Sequence, residues 1–296
     1  MSNIAQDVTD RIIAALEKGD LPWVRQWTTS GPPTRQDTGK AYRGINLFLL
    51  GISRAENDWD SNEWYTFKQA KTRGGFVRKG ERGTPIIKWI FKDKTETDPV
   101  TGEEVRVRAT RGFLVKFTVF NRDQIDGLPE APEKVQQSPV VRHAEADRVI
   151  NATGASISHG GDRAYYRPSE DRIQVPRPEN FLNRDAYYST LTHELTHWSG
   201  APHRLDRQFG NRFGDKEAYA FEELVAELGA AFLCANIGID GHSDVYRATD
   251  KHAAYIQSWL KVLKANNKAI FTASSKAQAA TDYLLAFSAS EQAEAA

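Results

Sequence analysis

Thr192-His193-Glu194-Leu195-Thr196-His197 is the stretch on which the reading of this chain turns. It has the H-E-x-x-H spacing of zinc-dependent peptidases. On a helix, residues four apart share a face, so His193 and His197 can turn both imidazoles to one metal ion. Glu194 follows the first histidine directly. There it lies beside the metal without binding it and suits a general base toward water. The pattern is short, and the neighbouring sequence has to supply the rest of a site.

A catalytic zinc takes three protein ligands and leaves one position open. Tyr219-Ala220-Phe221-Glu222-Glu223-Leu224-Val225-Ala226-Glu227-Leu228 begins a strongly helical segment with Leu224, Leu228, Ala231 and Phe232 at apolar spacing. Carboxylates in such a helix are costly unless paired or bound to metal. Glu223 lies 26 positions after His197 and is assigned as the third ligand. Glu227 shares its face and either holds a ligand histidine by hydrogen bond or substitutes as ligand. Ahead of the signature, Arg163–Arg167 and Asp171–Pro176 flank Pro168-Ser169-Glu170 and read as a hairpin. Beside a metal, an edge strand of this kind pairs with an extended peptide by strand addition.

The 296 residues suit two domains. Lys plus Arg and Asp plus Glu number 39 each, so the total charge decides nothing. Its distribution does. Residues 1–126 hold 21 basic and 17 acidic side chains, and the remainder reverses that excess. Between Trp64 and Lys92 the bases are Lys68, Lys71, Arg73, Arg78, Lys79, Arg82, Lys88 and Lys92, against Glu81 alone. Trp64, Tyr65, Phe67, Phe76 and Trp89 are interleaved with them. Cations for phosphates and rings for base stacking are the requirements of a single-strand nucleic-acid surface. Trp23, Arg25, Trp27 and Arg43 extend the same composition toward the amino end.

Periodicity predicts helices over Ile4–Lys18, through Leu47–Ile52, and starting at Trp64-Tyr65. Strands follow at Phe76–Gly80, Thr84–Lys92, Glu104–Arg108 and Arg111–Phe120. The polar, proline-containing stretch 128–139 is a linker. Beyond it, helices are expected at Val140–Thr153, Asp185–Trp198, Glu217–Ile237, Ala253–Leu263 and Ser274–Phe287, with a frayed tail after Ala289. The expected fold is α+β: a small α+β domain over 1–127, the linker, and a mainly helical domain with a short hairpin or sheet over 140–296. Cys234, the single cysteine, reads as a buried thiol. No secretory segment opens the sequence and no run approaches eighteen apolar residues. A soluble cytoplasmic protein without a membrane partner is therefore expected.

Tyr187-Tyr188, His193–Gly200, Arg204-Leu205-Asp206-Arg207 and Glu222–Leu228 resemble the ArdC-type antirestriction proteins of conjugative plasmids. So do Pro22-Trp23, Tyr42–Asn46, Trp64–Ala70 and Val77–Glu81. The resemblance covers nearly the whole chain in the right order. Ser199, where many relatives carry Thr, is a departure that touches no ligand. The resemblance implies an amino-terminal single-stranded-DNA-binding domain, a zincin-like metallopeptidase domain and protection of incoming plasmid DNA from restriction. It implies His193 and His197 as ligands, Glu194 as catalytic base and one Zn2+ per chain, with Mn2+ an alternative for the same donors. The partner is single-stranded DNA. A host restriction protein, or another protein bound or crosslinked to DNA, is the expected target of a peptidase reaction, and a purely single-stranded-DNA-binding protein with a structural zinc domain is the alternative. Tyr219, His242 and Tyr246 are candidates for stabilising an oxyanion, whereas His203 and His242 are not forced onto the metal by spacing.

Overall fold

A computed structural model describes residues 4–18, 31–91, 93–97, 101–108, 112–130, 138–207, 215–239 and 250–294. The expected nucleic-acid contacts Trp23, Arg25 and Trp27, and the expected oxyanion candidates His242 and Tyr246, lie outside these residues.

Helix α1 (Ile4–Glu17) buries Val8, Ile12 and Leu16, which recur at the 3.6-residue period. Helix α2 (Ile45–Glu56) buries Leu47 through Ser53, a run too long for one stripe. It is packed on more than one side. Strands β1 (Thr34–Arg35), β2 (Glu63–Tyr65), β4 (Thr84–Ile90) and β7 (Phe113–Asn121) form one sheet in the order β1-β2-β7-β4. β2–β7 and β7–β4 are antiparallel, whereas β1–β2 is parallel. β4 is an edge, and α2 covers part of it: the Asn46 amide accepts from the Ile87 N–H at 2.8 Å and donates to its carbonyl at 2.6 Å. A side-chain amide thereby replaces a missing neighbouring strand. Short pairs β3 (Phe76–Val77) with β8 (Ile125–Asp126), and β5 (Asp93–Thr97) with β6 (Glu104–Arg108), complete this half.

The helix expected to start at Trp64-Tyr65 starts later. Both residues lie on β2 and are buried. Thr66 caps helix α3 (Phe67–Thr72), accepting from the Gln69 N–H while the Gln69 side chain accepts from the Thr66 N–H. This reciprocal capping box sets the boundary.

At the end of the stretch expected as a linker, which stops one residue sooner than expected, Ser138 caps helix α4 (Pro139–Ala152). Strands β9 (Ser156–His159), β10 (Tyr165–Arg167) and β11 (Arg172–Val175) form a sheet in the order β10-β11-β9. The expected hairpin is β10–β11, joined through a turn at Pro168–Glu170. β9 adds a parallel neighbour on the far side of β11, so among the described residues β10 keeps an open edge. Helices α5 (Arg184–Ser199), α6 (Lys216–Ile237), α7 (Asp250–Ala265) and α8 (Ala269–Glu294) follow. The tail expected to fray at Ala289 continues as helix to Glu294.

Helix α6 organises the interior. Its Leu224, Val225, Leu228 and Phe232 join a cluster with α1, α2, α7 and α8. Its Leu233, Cys234 and Ile237 join another with α4, β11 and α5. The first cluster thus takes residues from both sides of the linker, with Val8, Ile12, Leu47 and Phe48 against Trp259, Leu263 and Ile270. The architecture is mixed α+β and helix-rich, as expected. No helix among the described residues is long and apolar enough to cross a membrane.

Candidate metal centre

The four-residue spacing in α5 turns the two histidine rings toward each other, 4.9 Å between centroids and 76° between planes. Glu223 reaches them from α6. Its two carboxylate oxygens lie 3.6 Å from His193 Nε2 and 3.7 Å from His197 Nε2. One donor atom from each of the three residues lies within 4.8 Å of the others. Two imidazoles, which ligate in their neutral form, and a carboxylate converging this way are a donor set for a divalent cation such as zinc.

The outward nitrogens each face a carboxylate. His193 Nδ1 lies 3.3 Å from Glu227, and His197 Nδ1 lies 3.3 Å from Glu222. A carboxylate on Nδ1 fixes the tautomer with Nε2 as the lone-pair donor. The donor set and its supports therefore fit a metal. Glu227 is placed to hold His193. Glu222 performs the matching task for His197, and it is buried. Arg207, also buried, donates to Glu222 at 2.9 Å, to Ser199 Oγ at 2.9 Å and to the Thr196 carbonyl.

Electrostatics match this geometry. Burial penalises the Glu223 carboxylate, but His193, His197 and the Tyr219 hydroxyl outweigh it and hold its pKa down to about 2. Burial likewise opposes the lowering of Glu222, which His197 and Arg207 nevertheless accomplish. Glu194 differs. Burial dominates and raises it, against the two histidines and a hydrogen bond from the Tyr166 backbone N–H on β10. The two carboxylates are thus pushed in opposite directions: Glu223 is held ionised, as a ligand must be, and Glu194 is pushed toward its neutral form.

Arg207 offers a test of the supporting layer. Arg207→Met strands the buried Glu222 carboxylate and loosens His197. Metal affinity, read by competition with a chromophoric chelator, is expected to fall about 10- to 100-fold. Unchanged affinity would remove Glu222 and Arg207 from the account of the site.

The other expected contacts lie on the amino half. Lys68, Lys71, Arg73, Arg78, Lys79 and Arg82 are exposed. Arg78 pairs with Glu81 at 2.8 Å and Asp126 at 3.3 Å. Arg43 pairs with Asp282 of α8, so it serves a contact across the linker. Phe67 and Phe76 are each 61 % exposed and Trp89 is 49 % exposed, while Trp64 and Tyr65 are core and withdrawn from any stacking role. Phe113 and Phe117 on β7 are exposed too, and sequence reading passed over them. Alternation on a strand beside basic residues was the available signal.

Comparison with known proteins follows the same division. Residues 2–120 match the family model for the N-terminal domain of anti-restriction factor ArdC, and residues 144–276 match that for a zincin-like metallopeptidase. The chain is similar to the crystal structure of the antirestriction ArdC protein from plasmid R388 in its metal-free form. The TM-score is 0.77 at 42 % identity, covering 98 % of this chain and 99 % of that one. For the Mn(II)-bound form the values are 0.75, 40 %, 97 % and 99 %. It is 38 % identical to protein y4eC of Sinorhizobium fredii, over 96 % of this chain and 92 % of that protein. It is also 41 % identical to a DNA primase TraC of Escherichia coli, over 95 % of this chain but 27 % of the primase.

Proposed function

The chain belongs to the ArdC antirestriction family, and from that premise we propose an antirestriction protein that binds single-stranded DNA and carries a metallopeptidase site. In this reading residues 1–127 hold the strand, 128–139 link, and 140–296 hold the metal. It acts in the cytoplasm, on plasmid DNA arriving in a restricting host during conjugation. The observation that carries the proposal is that one chain joins two surfaces. The amino half exposes basic and aromatic side chains, and on the carboxyl half three metal donors converge, with His193 and Glu223 buried and His197 partly buried.

On the first surface, Lys68, Lys71, Arg73, Lys79 and Arg82 meet phosphates, while Phe67, Phe76 and Trp89 stack on bases. Affinity for an oligothymidylate is expected to fall steeply with salt, with slope about −0.7 per phosphate contacted. Lys71→Ala is expected to weaken every sequence alike and reduce that slope by about 0.7 to 1. Phe67→Ala is expected to cost about 1–3 kcal/mol with the slope kept. Flat salt dependence, or tighter binding to duplex, would overturn this half of the proposal.

On the second surface, His193, His197 and Glu223 hold a divalent cation, Zn2+ or Mn2+, which supplies Lewis acidity and makes water acidic enough to attack near neutral pH. The chain's own groups do the rest. Glu227 and Glu222 keep both imidazoles in the ligating tautomer through Nδ1. The Glu194 carboxylate takes the proton from the attacking water and returns it to the leaving amine. The open edge of β10 pairs with an extended peptide and holds its scissile bond beside Glu194. Tyr219, beside Glu223, is a candidate oxyanion donor whose single O–H becomes available once a bound cation takes over Glu223. The proposed target is a protein on the incoming DNA.

A further inference from the structure

A second buried arginine lies outside the ligand set, and it grips the neighbouring strand. We propose that Arg204 is a positioning residue that locks the β10–β11 hairpin to the end of α5 and so sets the open edge of β10 relative to Glu194. The inference deepens the peptidase reading and rests on it for its functional meaning.

The Arg204 side chain is 5 % exposed and lies over the Trp198 ring, 3.9 Å from its centroid. Its Nε donates to the Trp198 carbonyl at 2.6 Å, which fixes it to the last turn of α5. Its other end reaches the hairpin. Nη1 donates to Asp171 Oδ2 at 3.0 Å, Nη2 donates to Oδ1, and Nη2 also meets the Tyr166 hydroxyl at 3.2 Å. Tyr166 in turn donates to Asp171 Oδ1 at 2.8 Å. Nη1 lies 2.6 Å from His203 Nε2. A planar guanidinium bonded to both carboxylate oxygens fixes orientation as well as distance.

The hairpin needs such a hold. β10 has three residues and, among the described residues, pairs with β11 alone. So short a strand at the rim of a three-stranded sheet makes few ladder hydrogen bonds, and Tyr166 alone of its three residues packs on the core cluster. Core packing anchors β11 through Ile173 and Val175, but Tyr165 is 38 % exposed and the β10 edge is open. Tyr166 joins the two requirements. Its hydroxyl sits in the lock, and its backbone N–H donates to Glu194. Moving this residue therefore moves the edge and the base's hydrogen-bond donor together. The loop that carries Arg204 folds back on α5, with Leu205 N–H on the Ser199 carbonyl at 3.0 Å and Arg207 N–H on the Gly200 carbonyl at 2.9 Å. Three residues after Arg204, Arg207 turns instead to Glu222. One loop thus braces the strand with one arginine and the metal ligands with the other.

The test uses the zinc-loaded full chain and needs no turnover. Asp171→Asn breaks the lock from the hairpin side, at a position with φ 46° that asparagine accommodates. Arg204→Met breaks it from the other. In both, exchange of the Tyr166 amide is expected to accelerate about tenfold or more, since a charge-assisted lock is lost, while α5 amides stay protected. Affinity for an extended peptide hydroxamate is expected to fall about tenfold, with zinc stoichiometry and affinity for acetohydroxamate unchanged. Arg207→Met should behave oppositely, weakening zinc and both hydroxamates. Unchanged Tyr166 exchange in both variants would overturn the proposal. So would parallel loss of zinc and of α5 protection, which would make Arg204 a general fold residue. A peptide hydroxamate that binds the unaltered protein no better than acetohydroxamate would instead sink the strand-addition reading, while the exchange data still decide the lock.

Discussion

Glu194→Gln is expected to leave the metal bound and the fold intact while lowering peptide hydrolysis by about 10²- to 10⁴-fold, the contribution of a positioned general base. The substitution keeps shape and removes only proton acceptance. Folding raises the Glu194 pKa, so ionising it costs stability, and that cost grows as pH rises through the interval between the ordinary and the raised value. In the metal-free protein Glu194→Gln should therefore raise Tm more at pH 7 than at pH 4. The same variant separates the readings of function. In plasmid transfer into restricting and non-restricting recipients, loss of protection only in the restricting recipient would make hydrolysis part of antirestriction. Full protection would leave DNA binding, or the folded metal domain, as the sufficient activity. DNA-stimulated cleavage of DNA-bound or crosslinked proteins, abolished by Glu194→Gln but without effect on transfer, would favour a DNA-dependent metallopeptidase.

What could be seen in advance divides along physical lines. His193, His197, Glu223 and Glu227 were legible because helical spacing alone puts each pair on one face, and α5 and α6 bring those faces together. Glu222 was not, because a helix buried all round has no solvent side to which an adjacent carboxylate must turn. Arg207 sits on a loop, where no periodicity marks burial. In the amino half, Trp64 and Tyr65 read as helix because they adjoin one. The decisive signal was Thr66 with Gln69 three positions on, a capping box that starts the helix after them. β9 escaped notice because its four residues pair in parallel with a strand reached only after β10. The packing of α1 against α7 was equally invisible, since contacts between residues 4–18 and 250–270 carry no local pattern. Assigning residues 1–127 to a separate domain thus describes sequence continuity and proposed function, while the apolar interior runs across the linker.

The largest structural effect is expected at Gly229, a residue that carries no chemistry. It lies where α6 crosses α5. A Cβ added there would meet Thr196 Cγ2 at 2.5 Å, Oγ1 at 2.7 Å and Cβ at 3.2 Å. Thr196 has little freedom to yield, because it is β-branched and its hydroxyl donates to the Thr192 carbonyl at 2.8 Å. Two effects of Gly229→Ala then oppose each other. Helix propensity favours alanine by about 1 kcal/mol. Overpacking a buried contact costs about 1–3 kcal/mol. With two neighbouring atoms inside 3 Å, the steric term should win, and Gly229→Val should lose still more. The separation of the helices also sets the site, because His193 and His197 ride on α5 and Glu223 on α6. Forcing them apart should weaken metal binding along with stability. Thr196→Ala removes both close atoms, so the double variant Gly229→Ala with Thr196→Ala should recover metal affinity that Gly229→Ala alone loses. Thermal unfolding and chelator competition on the single and double variants measure that coupling. A Gly229→Ala protein more stable than its parent, with metal affinity intact, would mean that propensity dominates and that the close crossing does not set the spacing of the ligands.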